Sequence, residues 1–174
     1  MTVIVWDGHT LAADKRTVNS GYKGGIVTKV YRWDGGLCAF AGDLDVGVQM
    51  VHWLRDGAKS ADFPKQQAEK AASAFMVIYA DGRVAKYETM PVPLFFESPV
   101  SAMGSGRDYA YAALHLGCDA RRAVEVACAL DASCGNGIDT LTLQTDEDFA
   151  ELERKHFGDP DLRTGIYAAK DAAQ

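Results

Sequence analysis

The chain has 174 residues, 48% of them apolar and 24% charged, the size and composition of one globular domain. Lys+Arg 18 against Asp+Glu 24 leaves a net charge of −6, and the longest basic cluster is Arg121-Arg122, which argues against a nucleic-acid partner held through its phosphates. No apolar run approaches the about 18 residues that cross a bilayer, and the first residues lack the basic-then-apolar layout of a signal peptide, so the expectation is a cytoplasmic protein without a membrane partner.

In chain order, Val3–Trp6 and Thr10–Asp14 are β-prone runs on either side of Asp7-Gly8, a pair that favours a tight hairpin. A strand that starts this close to the N-terminus calls for an ordered terminus, where most domains begin with loose residues. Ile26–Trp33 and Leu37–Gly42 repeat the pattern around Asp34-Gly35-Gly36, so the opening quarter reads as four strands in two hairpins. Asp43 then caps a helix to about Asp56, with Gly47, Met50, Val51 and Leu54 on one face. Residues 57–73 read as a polar loop followed by a short helix.

Ala74–Ala80 and Arg83–Glu88 form a further hairpin about Asp81-Gly82, and the proline-flanked stretch Met90–Pro99 is a connection or a sheet edge. Val100–Met103 reads as another strand. Tyr109, Ala112, Ala113 and Leu116 mark one helix face; Ala120, Ala123, Val124 and Ala127 mark the next, with Gly117-Cys118-Asp119 as stop and new cap. Ile138–Leu143 alternates like a closing strand, and Asp146 to about Phe157 can form a charged helix. The expected class is layered α+β, two sheets with helices on their outer faces, in a single domain over 1–157 followed by a polar tail over 158–174.

Several residues could carry chemistry. Thr2 is small enough at the second position for methionine removal, and a threonine with a free α-amine carries its own base, because that amine has a pKa of about 7.7–8.0. Taken alone, Thr2 is also an ordinary second residue. Lys29 shares a strand face with Val27, Tyr31 and Trp33, and an ammonium in such a row needs a partner, for which Asp14 is placed, or a route to water. Ser105 stands between Gly104 and Gly106, where it can cap a helix with Asp108 or expose its hydroxyl to a second chain segment. Asp131–Gly137 reads as a glycine-rich helix exit. Cys38, Cys118, Cys128 and Cys134 form no C-x-x-C pair and no ligand spacing with histidine, so reduced thiols and no metal are expected.

The ordered blocks Thr2-Val3-Ile4, Leu11–Asp14, Thr28-Lys29-Val30, Phe40-Ala41-Gly42, Gly104-Ser105-Gly106 and Asp131–Gly137 together resemble the proteasome β-subunit and HslV family of N-terminal threonine hydrolases, which includes smaller bacterial homologues. The resemblance spans roughly residues 2–143. It implies a four-layer αββα sandwich with the second central helix shortened into 57–73, and a threonine peptidase active once Met1 is removed. Thr2 would be the nucleophile, with its amine as base. Lys29 would lower the proton affinity of Thr2, Asp14 would orient Lys29, and the Gly42 N–H would hold the oxyanion. Ser105, Asp131 and Cys134 would surround the amine, and Phe40 would line an apolar substrate pocket.

Two departures stand out: Cys134 where the family has serine, and Lys15 where glycine is common. The implied partners are peptide or unfolded-protein substrates and further copies of the chain in stacked hexameric or heptameric rings, with room for an ATP-dependent unfoldase. No cofactor is implied. The alternatives are a non-catalytic ring or scaffold subunit, favoured by Cys134 and a retained Met1, and an amidase of the wider N-terminal nucleophile class acting on a small amide.

Overall fold

The computed structural model describes residues 2–19, 22–65 and 73–143. They belong to a unit that ends at Leu143. The expected helix from Asp146, the 158–174 tail and residues 66–72 of the 57–73 stretch, read as a loop followed by a short helix, lie outside the described residues.

The architecture is α+β. One sheet has the order β10-β1-β2-β11, formed by β1 (Val3–Trp6), β2 (Thr10–Asp14), β10 (Ser101–Gly104) and β11 (Ile138–Thr142). A second has the order β5-β6-β7-β8-β9, from β5 (Val30–Trp33), β6 (Gly36–Ala41), β7 (Ala74–Tyr79), β8 (Val84–Tyr87) and β9 (Leu94–Phe96). All pairings are antiparallel. The helices are α1 (Leu44–Arg55), α2 (Arg107–His115) and α3 (Ala120–Leu130), and a single 3-10 turn covers Ser60–Asp62.

The strand period of two sorts the apolar side chains into three clusters. Ile4, Trp6, Leu11 and Ala13 from one sheet meet Leu37, Ala39, Met76 and Ile78 from the other. Val3, Val5 and Ala12 point the opposite way, onto Ala110, Ala113, Ala123, Val124 and Ala127 of α2 and α3. Cys38, Phe40, Phe75 and Val77 pack under Val46, Met50, Val51 and Leu54 of α1. Both faces of β1 are therefore covered, which is why its four residues are apolar without alternation.

Three expectations need correction. The opening segment holds six strands before α1, because β3 (Arg16–Asn19) and β4 (Tyr22–Ile26) form a separate two-stranded ribbon. Asn19-Ser20-Gly21 and Gly24-Gly25 carry turn-type residues that hide it. The expected strand Ile26–Trp33 is interrupted at 27–29, where the Val27 N–H donates to Lys15 O at 2.9 Å and the chain passes from the ribbon into β5. The face of α2 is turned: Ala110 and Ala113 are buried, whereas Tyr109 and Leu116 are 42% and 81% exposed. Alanines let the helix approach the sheet closely, and the larger side chains are left outside.

Leu37 is fully buried between the two sheets. Leu37→Ala is expected to lower unfolding free energy by about 3 kcal/mol through lost transfer energy and a residual cavity, read as a lower midpoint at unchanged slope in urea titration.

Candidate functional site

The site forms where β1 begins, β2 ends and the loop after α3 returns to the sheet. Thr2, Asp14 and Lys29 are 1%, 0% and 3% exposed and touch one another. The Thr2 hydroxyl donates to Asp14 Oδ1 at 2.8 Å and accepts from Lys29 Nζ. Lys29 Nζ also donates to the same carboxylate oxygen and to Arg16 O, each at 2.8 Å. The break at 27–29 lifts Lys29 out of the face that Tyr31 and Trp33 occupy, so its ammonium reaches the first sheet.

Asp14 is held on both oxygens. Oδ1 accepts from the Val3 N–H at 3.0 Å, and Oδ2 from the Arg16 and Gly135 N–H groups at 3.2 and 3.0 Å. A buried carboxylate tied this fully is fixed in position and orientation. Burial pulls the Lys29 pKa below its ordinary value of 10.5, and the charge and hydrogen bond of Asp14 oppose that fall. An ammonium in contact with a hydroxyl favours the hydroxyl's deprotonated form, so this cluster can activate Thr2 as a nucleophile.

The other side of Thr2 faces the glycine-flanked serine. The Thr2 N–H donates to Ser105 Oγ at 3.2 Å, and Gly106 N–H donates to Thr2 O at the same distance. Ser105 does not cap α2: the cap residue is Gly106, without a side-chain bond. The serine hydroxyl instead lies 3.9 Å from Cys134 Sγ, and Cys134 donates to Asp131 Oδ2 at 3.4 Å. Asp131 is held below the usual carboxylate range, first by the Ser133 N–H and then by side-chain bonds that include Ser105. Burial, with the nearby Asp14 and Asp131 charges, pushes the Cys134 thiol up to about 12, so it serves only as a weak neutral hydrogen-bond group. All four cysteines are free thiols.

A cavity of about 420 Å³ adjoins Thr2 and is lined by Gly42, Ala41, Met76, Met103, Lys86 and Arg107 among others. Gly42 shares its wall with Thr2 and has φ +118°, a left-handed conformation that suits glycine. Phe40 is not part of that wall. Its side chain packs under α1, where a Cβ on Gly47 would fall 2.1 Å from its ring, because neighbouring residues of a strand face opposite ways. No group of histidine, cysteine or acidic residues among the described residues is arranged to hold a metal. None of the described helices is long and apolar enough to cross a membrane.

Sequence reasoning overlooked Arg16, and it noted Lys15 as a departure without giving it a role. Arg16 donates to Ala132 O at 2.6 Å and to Asn136 Oδ1 at 3.3 Å, tying the 131–137 loop to the corner that holds Asp14. Lys15 contacts both Asp139 oxygens at 2.7 Å, and its N–H donates to the Gly135 and Gly137 carbonyls. Neither has a periodic signal, since both follow the end of a strand and act on residues more than a hundred positions away.

Gly104 has φ +95°, and a Cβ there would lie 2.1 Å from Thr2 O. Gly104→Ala is expected to cost about 2 kcal/mol or more and to displace Thr2. Gly57→Ala, at φ +94° with open space for the added methyl, should cost about 1 kcal/mol by the same denaturant titration.

Neither a protein-family model nor a curated protein matches the sequence. Solved structures do. The chain is similar to eukaryotic HslV from Trypanosoma brucei at TM-score 0.61 and 20% identity, over 82% of this chain and 98% of that one. It is similar to Thiobacillus denitrificans BPH in complex with epoxomicin at TM-score 0.63 and 18% identity, over 83% and 100%. A further structure of T. denitrificans BPH gives 0.57 and 20%, over 83% and 99%. The two sheets and three helices described above therefore carry the fold of HslV and BPH, across nearly the whole length of those chains.

Proposed function

We propose that the chain is a threonine-type endopeptidase of the proteasome and HslV type, with an αββα layering of its sheets and helices, that cleaves peptides or unfolded proteins after Met1 removal exposes Thr2. The observation that carries this reading is the buried contact of Lys29 Nζ with the Thr2 hydroxyl, with Asp14 bonded to both groups. The likeness to HslV and to BPH supports it through the fold.

The free α-amine of Thr2, beside Ser105, takes the hydroxyl proton through a water while Lys29 stabilises the developing alkoxide. Oγ1 adds to the scissile carbonyl, and the Gly42 N–H receives the oxyanion. The C–N bond breaks as the leaving amine takes the proton. An ester remains on Thr2 until a water, deprotonated by the same amine, releases the acid. Ser105, Asp131 and Cys134 hold the amine, and no cofactor takes part. We assign the chain to homomeric stacked rings in the cytoplasm, since a peptidase without a chamber has no steric barrier to folded proteins.

Intact mass is the first check: the active species should lack Met1. Thr2→Ala should abolish hydrolysis of a fluorogenic peptide, and Lys29→Ala should lower kcat/KM by at least about 100-fold. Epoxomicin, the ligand in the T. denitrificans BPH complex, should block wild-type turnover. Full turnover in either variant would remove that residue from the mechanism. The 3.9 Å Ser105–Cys134 contact favours a second reading, a non-catalytic subunit of the same fold, which predicts no turnover after Met1 loss.

The depressed pKa of Lys29 sets an alkaline limit. As pH rises, Lys29 loses its proton before an ordinary lysine at 10.5 and the charge beside Thr2 Oγ1 disappears. Activity should therefore fall on the alkaline side below pH 10.5, and in Lys29→Arg any residual activity should show no such limb, because a guanidinium stays charged there.

A further inference from the structure

Lys86 and Arg107 line the cavity beside Thr2 and have no part in the steps above. Lys86 occupies a position that the sheet otherwise uses for its core. In β8, Val84 belongs to the cluster between the sheets, and Lys86 follows on the same face, opposite buried Met76 across the ladder. An ammonium on an inward face is retained where it meets an anion or reaches water. Lys86 does some of each: its side chain is 28% exposed, and Nζ meets Glu88 Oε1 at 2.5 Å. Glu88 is mostly exposed and not one of the cavity-lining residues, and an ammonium with three donors keeps others for a ligand.

Arg107 comes to the same cavity from the other sheet, as the first residue of α2, separated by two residues from the end of β10. Its guanidinium donates to Gly104 O at 3.3 Å and lies 3.4 Å from the exposed Asp108 carboxylate. The charged residues among the described lining are thus two cations and no acid; the remainder of the wall is largely small or apolar, with Ala41, Ala74, Met76 and Met103. Such a pocket has room for a short side chain and a charge bias at its wall.

We propose that this cavity takes a carboxylate of the peptide substrate, so that Lys86 and Arg107 select an acidic side chain or a free C-terminus next to the bond that Thr2 attacks. The assignment of the bond rests on the peptidase reading, whereas the carboxylate preference can be measured without turnover. An incoming carboxylate shares Lys86 with Glu88 and gains from leaving water only part of the way, which limits the selection to the scale of one partly exposed ion pair.

The full chain carrying Thr2→Ala is titrated calorimetrically with acetyl-Ala-Glu-amide, acetyl-Ala-Gln-amide and acetyl-Ala-Gln with a free carboxylate. A carboxylate-bearing peptide should bind about three- to fivefold more tightly than the doubly capped glutamine peptide, and the one that does identifies side chain or terminus as the source. Adding Lys86→Gln should bring the ratio close to one, and adding Glu88→Gln instead should raise it. Equal binding of the three peptides, no binding of any, or a preference that survives Lys86→Gln and Arg107→Gln together overturns the proposal. Turnover by the wild-type chain separates the two readings: cleavage without carboxylate preference strikes this proposal alone, and preference without cleavage strikes the assignment of Thr2.

Discussion

The buried pair of Lys29 and Asp14 constrains everything around it. Removing an ammonium and a carboxylate from water costs several kcal/mol each, and their mutual attraction offsets this only when the remaining donors and acceptors are also satisfied. Here they are. The carboxylate accepts from Val3, Arg16 and Gly135 N–H groups and from the Thr2 hydroxyl, and the ammonium donates to Arg16 O and Thr2 Oγ1. Each of those partners is thereby fixed: the first residues of β1, the β2–β3 corner and the loop after α3. The pair is therefore less a source of net stability than a condition that forces three distant segments into one arrangement.

That arrangement explains features that packing alone leaves open. The chain leaves β4 and does not continue straight into β5, because a regular strand through 27–29 would alternate Lys29 onto the face of Tyr31 and Trp33, under α1 and away from Asp14. Arg16 spans from the Asp14 corner to Ala132 and Asn136, and Lys15 from the same corner to Asp139. The loop that carries Cys134 is thus tied on both sides before it meets Ser105. Gly104 and Gly106 complete the fit, since a Cβ at either would press on Thr2 or on Val3 and Cys134. On the proposed reading of Thr2 as nucleophile, rigid support matters because a displacement of about an ångström can cost a large part of the rate.

Much of this was legible in the sequence, and the pattern of what was not has a physical basis. The hairpins about Asp7-Gly8 and Asp81-Gly82, helix α1 with its Asp43 cap and helix α3 with its Asp119 cap all carry local signals, a turn residue or a capping side chain beside a periodic apolar run. The β3–β4 ribbon carries none, because glycine and asparagine suppress the alternation that identifies a strand. The α2 face misled for a related reason: alanine is a weak apolar signal, yet close packing onto Val3, Val5 and Ala102 selects alanine over tyrosine. Thr2, Asp14, Lys29, Ser105, Asp131 and Cys134 do come together in space, and recurrence of ordered blocks pointed to them where no single spacing did. Ser105 illustrates the limit, since the same residues fit a capping box that the folded helix does not use.

Phe40 shows how strand parity decides the character of the cavity. Along β6 the sides alternate, with Leu37, Ala39 and Ala41 toward the other sheet and Cys38 and Phe40 toward α1. The bulky ring beside Gly42 in sequence is therefore on the wrong side of the sheet to touch anything bound at Thr2, and the wall falls to Ala41 and to its ladder partner Ala74. Small residues open the space between the sheets at this end, and Met76 and Met103 give it an apolar floor. The same parity that withdraws Phe40 brings Lys86 in, because Val84 and Lys86 alternate with Ala85 and Tyr87, which pack under α1. An apolar preference inferred from Phe40 thus rests on a side chain facing the opposite core, while the charge at the cavity comes from a lysine whose inward position follows from the alternation of β8.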